Sequence, residues 1–301
     1  MTSHSPSASS STATPGVCIA ATASGSGKTT IATGLIAALA SRMKVAPFKV
    51  GPDYIDPGYH SIASGCVGRN LDSVLCGNDL IGPLYHYGSQ HADIAVVEGV
   101  MGLFDGRISD GAGSTADIAA KLGIPILLIV DARGMSQSVG AVVRGFATAR
   151  SDVRIAGVIL NKVGSDRHAA VCREAVEAEG IPVVGSIPRQ HDIVVPSRHL
   201  GLVTAIEHGE AALKAIQSME KLIEQTCDVD RISALADCSY TGPMWDPTTV
   251  VDKVGQPTIA MAGGPAFTFG YAEHRELLEA AGATVVVFDP LQDALPACDG
   301  L

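Results

Sequence analysis

The chain has 301 residues, 47% hydrophobic and 17% charged, with a formal net charge of −10. That supply of apolar residues is enough for the core of one large domain or two, while the acidic balance excludes a general nucleic-acid or anionic-membrane binder and leaves room for a local basic pocket. No apolar run reaches the ~20 residues that span a bilayer. The seven cysteines are scattered without a C-x-x-C pair, which excludes a disulfide framework or zinc knuckle and points to reduced thiols in the cytoplasm.

Residues 1–15, MTSHSPSASSSTATP, carry neither a basic start nor an apolar segment and read as a disordered tail, not a secretory signal. Short β-branched runs then alternate with helical patterns. The strands expected are Val17 to Ala21, Val45 to Val50, Ile94 to Val97, Ile126 to Val130, Ile155 to Leu160 and Val183 to Ile187. Between them, Thr29 to Ala40, Thr115 to Leu122, Ser136 to Thr148 and Arg167 to Glu179 carry helix formers at helical spacing. Runs apolar on both faces suit strands buried between helix layers, so residues 16–206 form a doubly wound α/β domain. Residues 207–256 read as a helical connector followed by a Pro- and Gly-rich linker. Residues 257–301 hold a strand, a helix and a second strand, too few to close a sheet, and read as the beginning of a second domain cut short.

Directly after the first strand comes ATASGSGKTT, residues 21–30. In a strand–loop–helix setting, the backbone N–H groups of Ser24, Gly25, Ser26, Gly27 and Thr30 cradle phosphates, Lys28 reaches the β/γ-phosphates and the Thr29 hydroxyl ligates Mg²⁺. Thr22 replaces the first glycine of the strict pattern, so this is a variant loop. Ala23 stands where partition-type ATPases have a signature lysine and dethiobiotin synthetase an aspartate. Gly164 in NKVG replaces the guanine-reading aspartate of N-K-x-D GTPases, which favours ATP. Asn161 at that strand end reads equally as an adenine contact and as a turn former.

Mg²⁺ bound with a nucleotide wants one or two carboxylates beside phosphate and water oxygens, and open parallel sheets place ligands at the carboxyl ends of their strands. FKVGPDYIDPGYH, residues 48–60, supplies Asp53 and Asp56 after the second strand. DIAVVEGVMGLFDG supplies Glu98 and Asp105.

These motifs, with RNLD (69–72), GSTADIAAKLGIPILLIVDA, GVILNKVGSDRH and PSRHLGLV, closely resemble the cobyrinic or hydrogenobyrinic acid a,c-diamide synthases of corrinoid biosynthesis over about Val17 to Val203. The resemblance resumes at AFTFGYAEHRELLEAAGATVVVFDPLQDALPACDGL, which is similar to the start of that family's class I glutamine amidotransferase domain. The fold class it implies is α/β, a doubly wound, mainly parallel sheet of the P-loop, dethiobiotin-synthetase-like type, followed by a truncated amidotransferase-like segment.

The resemblance further implies an ATP- and Mg²⁺-dependent ligase that amidates two carboxylates of a corrinoid through acyl phosphates. Glutamine or ammonia would supply the nitrogen. Thr29, Asp53 and Glu98 would hold the metal, and Lys49 would offset charge between γ-phosphate and substrate. Asp56 or Asp105 would orient ammonia or take its proton. Tyr54, His60, Ser114 and Arg198 would contact the macrocycle, with Arg69, Arg107, Arg167 and Arg198 available to an anionic ligand. Cys298 lacks the strand-to-helix turn of a glutaminase nucleophile, so this chain is expected to use free ammonia alone. The same chemistry on Ni-sirohydrochlorin and a non-catalytic nucleotide switch are the competing readings. A homodimer carries no sequence signal of its own.

Overall fold

The computed structural model describes residues 12–189 and 209–301. Seven strands form one parallel sheet. They are β1 (Gly16–Ala21), β2 (Val45–Val50), β3 (Arg69–Leu71), β4 (Ile94–Glu98), β5 (Ile126–Asp131), β6 (Ile155–Val163) and β7 (Val183–Pro188), in the order β3-β2-β4-β1-β5-β6-β7. Every residue of β1, β2 and β4 is buried, as runs apolar on both faces require. Side chains alternate between two apolar layers: Val17, Ile19 and Ala21 of β1 face one, Cys18 and Ala20 the other.

The first layer belongs to α1 (Lys28–Ala40), which has ten buried residues and no polar face. A helix apolar all round needs cover on both sides, and the second cover comes from α7 (Glu210–Thr226), whose Ala212, Ile216, Met219 and Ile223 line one stripe. Their approach is so close at Gly34 that a Cβ there would lie 2.6 Å from the Met219 carbonyl oxygen. On the opposite face lie α3 (Ile81–Ser89), α4 (Thr115–Leu122), α5 (Ser138–Thr148) and α6 (Asp166–Glu177). The short helix α2 (Asp56–Ser64) follows β2, and α8 (Val229–Ala234) follows α7.

Ala13 and Thr14, in the segment read as tail, and parts of the stretch read as connector and linker are packed. Ala13 is buried and its N–H donates to the Tyr240 carbonyl, while the Tyr85 hydroxyl donates to the Thr14 carbonyl. At the end of the stretch read as helical connector, Asp237 exchanges backbone hydrogen bonds with Gly16, and in the stretch read as linker Trp245 is buried with its ring edge-on to Tyr87 at 5.0 Å. Polar composition hid these anchors because a few apolar side chains fix the whole crossing. After it, β8 (Thr258–Ala262), α9 (Ala272–Ala280) and β9 (Thr284–Phe288) form a small βαβ unit whose strands pair in parallel.

Candidate active site

The order of the sheet brings three strand ends together. Glu98 ends β4, and parallel register sets it beside Lys49 of β2 on one side and Ile19 of β1 on the other. A lysine and a glutamate at matched positions on adjacent buried strands must meet, and Lys49 Nζ lies 2.9 Å from Glu98 Oε1. Asp56, first residue of α2, turns back into the same space with Oδ2 2.5 Å from Lys49 Nζ. The Thr29 hydroxyl completes the cluster, 2.7 Å from Glu98 Oε1 and 3.2 Å from Asp56 Oδ2. Asp53 sits at its rim with Oδ2 3.8 Å from Lys49 Nζ, and its Oδ1 accepts the N–H groups of Ile55 and Asp56 at the start of α2.

The two inner carboxylates are pushed in opposite directions. Burial alone would raise the Glu98 carboxyl, but Lys49 and then His60 overturn that and hold it well below its ordinary range. Burial, joined by repulsion from Glu98, pushes Asp56 up to about 6 despite Lys49. On Lys49, burial opposes the charge, and Glu98, Asp56 and Asp53 outweigh it and hold the ammonium firmly protonated. Carboxyl groups separated in this way can serve different roles, one a fixed anion and the other able to exchange a proton near neutrality.

The phosphate loop arches over this cluster. Gly27 caps α1 at φ 98°, in the left-handed region, and a Cβ there would lie 2.5 Å from Asn161 Nδ2. No side chain caps the helix, so its first N–H groups point into the loop, the arrangement that binds phosphate. Ser24 and Gly25 are exposed, whereas the Ser26 hydroxyl turns inward onto the Ala23 carbonyl. Lys28 donates to the Met101 carbonyl in the loop after β4, and burial lowers its pKa below the ordinary lysine value. Met101 itself has φ 48°, strained backbone for a residue with a side chain.

Several residues expected at the ligand are engaged elsewhere. His60 is wholly buried on α2, with Nε2 2.8 Å from Glu98 Oε2 but the ring poorly aligned for an ordinary hydrogen bond, so it supports Glu98 from behind. Ser114 is buried as the N-cap of α4, accepting from the Asp117 N–H in a capping box, because Ser-x-x-Asp before an apolar run makes a helix start. Asn161 is buried and donates to the Ser26 carbonyl at 2.8 Å, bracing the phosphate loop. Arg69 pairs with Glu273 and Glu276, and Arg107 with Asp110. Arg167 is exposed, and Arg198 lies outside the described residues. Exposed Asp105 accepts from the Gly102 N–H at 2.9 Å and is near enough to Lys28 to act on its charge. Tyr54 is half-buried, stacked on Phe269 and Tyr271 with ring centroids 5.4 Å away in each case.

Sequence reasoning missed Lys162. At φ 60° it bends so that Nζ reaches both the Gly25 carbonyl, at 3.1 Å, and Asp131, at 2.9 Å. The NKVG segment was the available signal. It also gave Asn70 no role, although Asn70 Nδ2 donates to the carbonyls of Gly51 and Asp53 at 2.8 and 2.7 Å.

The donor set fits magnesium. The side-chain oxygens gathered around Lys49, from Thr29, Glu98, Asp56 and Asp53, are all hard donors. Among the described residues no cluster of three or more His, Cys, Asp or Glu forms a ready-made metal cage. Mg²⁺ needs none, since substrate phosphates and water complete its octahedron.

Residues 17–203 match the family described as the CobQ/CobB/MinD/ParA nucleotide binding domain. The chain belongs to this family. It is 56% identical over 288 residues to a Hydrogenobyrinate a,c-diamide synthase of Mycobacterium bovis, covering 93% of this chain and 63% of the relative. It is 48% identical to the protein of that name in Streptomyces coelicolor, covering 95% of this chain and 66% of the relative. A Cobyrinate a,c-diamide synthase of Picrophilus torridus is 39% identical, with 95% and 65% covered. The resemblance read from the motifs therefore extends across nearly the whole chain, which spans about 63% of the length of the mycobacterial relative. The sheet order and the phosphate loop agree with membership of a nucleotide-binding family.

Proposed function

We propose that the chain carries the ATP-dependent half of an a,c-diamide synthase, with hydrogenobyrinic acid as its macrocycle and cobyrinic acid as the alternative. The observation that carries this reading is the meeting of Lys28, Thr29, Lys49, Asp56 and Glu98 beneath one phosphate loop. The higher identity to relatives named for the metal-free acid favours that substrate.

A carboxylate and ammonia at neutral pH form only a salt, so the carboxyl carbon needs a leaving group. A substrate carboxylate oxygen attacks the γ-phosphorus of ATP, the bond to the β–γ bridging oxygen breaks, and ADP departs. Ammonia then attacks the acyl phosphate carbon, phosphate leaves, and the nitrogen gives up one proton. A second round amidates the second carboxylate. Mg²⁺ held by Thr29, Asp53 and Glu98 would neutralise phosphate charge. Lys28 holds the β/γ-phosphates. Lys49, kept protonated by three carboxylates, would offset the repulsion between the attacking carboxylate and the γ-phosphoryl group. Asp56, with its raised pKa, is the group suited to take the proton from nitrogen.

Incubation of the chain with ATP, Mg²⁺, ammonium and, separately, hydrogenobyrinic acid, cobyrinic acid and Ni-sirohydrochlorin should give a two-amide mass change with the first and stoichiometric ADP. ATP hydrolysis without amide product on any of the three would refute the reading and support a nucleotide switch. Ammonium is the nitrogen source tested, and glutamine is a partner proposed for the whole protein.

A further inference from the structure

The short edge strand β3 lies between the acid loop and the C-terminal unit, and its polar side chains reach toward both. Toward the site, Asn70 is the register partner of Lys49, and its amide holds the carbonyls of Gly51 and Asp53. Toward the C-terminal unit, the Arg69 guanidinium donates to Glu273 at 2.8 Å and to both carboxylate oxygens of Glu276, with its other face over the Tyr87 ring. One residue beyond β3, Asp72 receives the Tyr271 hydroxyl at 2.8 Å while its other oxygen caps the next turn through Val74 and Leu75 N–H. Tyr271 and Phe269 then stack on Tyr54, next to Asp53 in the acid loop.

These contacts are chemically specific. Arg69 and Glu273 are both buried, so each charge depends on the other for compensation. The paired carboxylates also hold the Arg69 guanidinium well above its ordinary value against the effect of burial. The loop touches the C-terminal unit through the Tyr54 ring on one side and β3 through the carbonyls of Gly51 and Asp53 on the other. The loop is therefore braced from two directions.

We propose that residues 269–276 and β3 form a brace that sets the conformation of the Gly51–Asp56 loop, making Arg69 and Tyr271 positioning residues for Asp53 and Tyr54. The C-terminal unit is then part of the ligase site, and its docking tunes capture of the macrocycle. The phosphate loop, held separately by Asn161 and Lys162, lies outside the brace. This inference rests on the reading of that loop as the macrocycle's end of the site.

The test uses the intact chain with Tyr271→Ala, which removes stack and hydroxyl, Tyr271→Phe, which keeps the stack, and Arg69→Lys, which keeps the charge but loses the fork. Hydrogen exchange at the amides of Asp53, Ile55 and Asp56, all bonded within the loop, should quicken about tenfold in Tyr271→Ala, the scale expected for loss of a stack and a hydrogen bond. KM for hydrogenobyrinic acid with ammonium should rise by about the same factor, while ATP affinity and the global unfolding midpoint hold. Tyr271→Phe should recover much of both. Unchanged exchange and KM in Tyr271→Ala and Arg69→Lys would overturn the brace, as would a parallel loss of ATP affinity. If the wild-type chain forms no amide, the diamidation reading fails, and the exchange measurement still decides the brace.

Discussion

The loops that leave β2 and β4 start from neighbouring strands and both carry acids, yet they keep those acids in opposite surroundings. After β2 the chain turns at once into α2 and folds Asp56 inward, where burial and Glu98 push its carboxyl up to about 6. After β4 it makes a long glycine-rich excursion to Ser114, and Asp110 stands exposed, pulled down to about 2 by the hydrogen bonds it accepts from Arg107 and the Ala112 N–H. The difference teaches which strand-end acid is able to do chemistry. A carboxylate paired with its own loop arginine in water is held as an anion and positions backbone, whereas one packed against a buried lysine and a second carboxylate has its proton affinity set by the site.

The largest expected break in this comparison is at Glu98, which anchors the inner cluster. Glu98→Gln keeps the shape but removes the charge facing Thr29 and Lys49, and amide formation with ammonium should fall by at least about 10²–10³-fold, the scale of losing one preorganised electrostatic contact. Near-normal product formation would remove Glu98 from the reaction.

Stability separates the two loops next. Lys49→Met leaves Glu98 and Asp56 buried without their cation and should cost about 3–5 kcal/mol in urea unfolding. Arg107→Met, at an exposed pair, should leave the midpoint unchanged, and equal losses in the two variants would dissolve the contrast.

A smaller effect should appear in pH. Asp56 has a folded pKa of about 6, above the ~3.9 of an unfolded aspartate, so the native state holds the extra proton between those values. Its contribution therefore favours folding below about pH 4 and is lost as pH rises through about 6. Glu98 acts in the opposite sense, since its depressed carboxyl gives stability above the unfolded glutamate value that is lost on acidification. In nucleotide- and metal-free protein, Asp56→Asn should remove the decline in urea midpoint between about pH 4 and 6. An unaltered profile would place that titration elsewhere.

The fold was legible because its signals are local and repeated. β-Branched runs mark β1, β2 and β4 to β7, and SGSGKTT marks the turn into α1. Three-residue β3 was not legible, since Arg-Asn-Leu has no strand pattern and its place comes from pairing with β2. Lys28, Thr29, Lys49, Asp53, Asp56 and Glu98 were legible as a set because strand ends converge in any parallel sheet. Which of Asp53 and Asp56 would lie deeper was not, since that depends on α2 beginning at Asp56 itself. The surroundings of His60 and Asn161 were not legible for one reason: a polar residue in a motif looks the same in sequence whether it faces a ligand or supports a residue that does.

Ser114 gives the smallest prediction and the sharpest test of that ambiguity. Its place in a glycine-rich loop near Asp105 and Arg107 suits a macrocycle contact, but its hydroxyl accepts from the Asp117 N–H while Asp117 returns a bond to the Ser114 N–H. Ser114→Ala should lower stability by about 1 kcal/mol, the usual cost of a lost N-cap, with KM for the macrocycle unchanged. Ser114→Asp should restore most of that loss, because aspartate caps as well as serine and gains from the helix dipole, although it adds a negative charge that an anionic macrocycle at this spot would resist. A cap therefore gives recovered stability with an indifferent KM. A substrate contact gives a KM that rises in both variants and rises further in Ser114→Asp, and that result would return the loop after β4 to the binding surface.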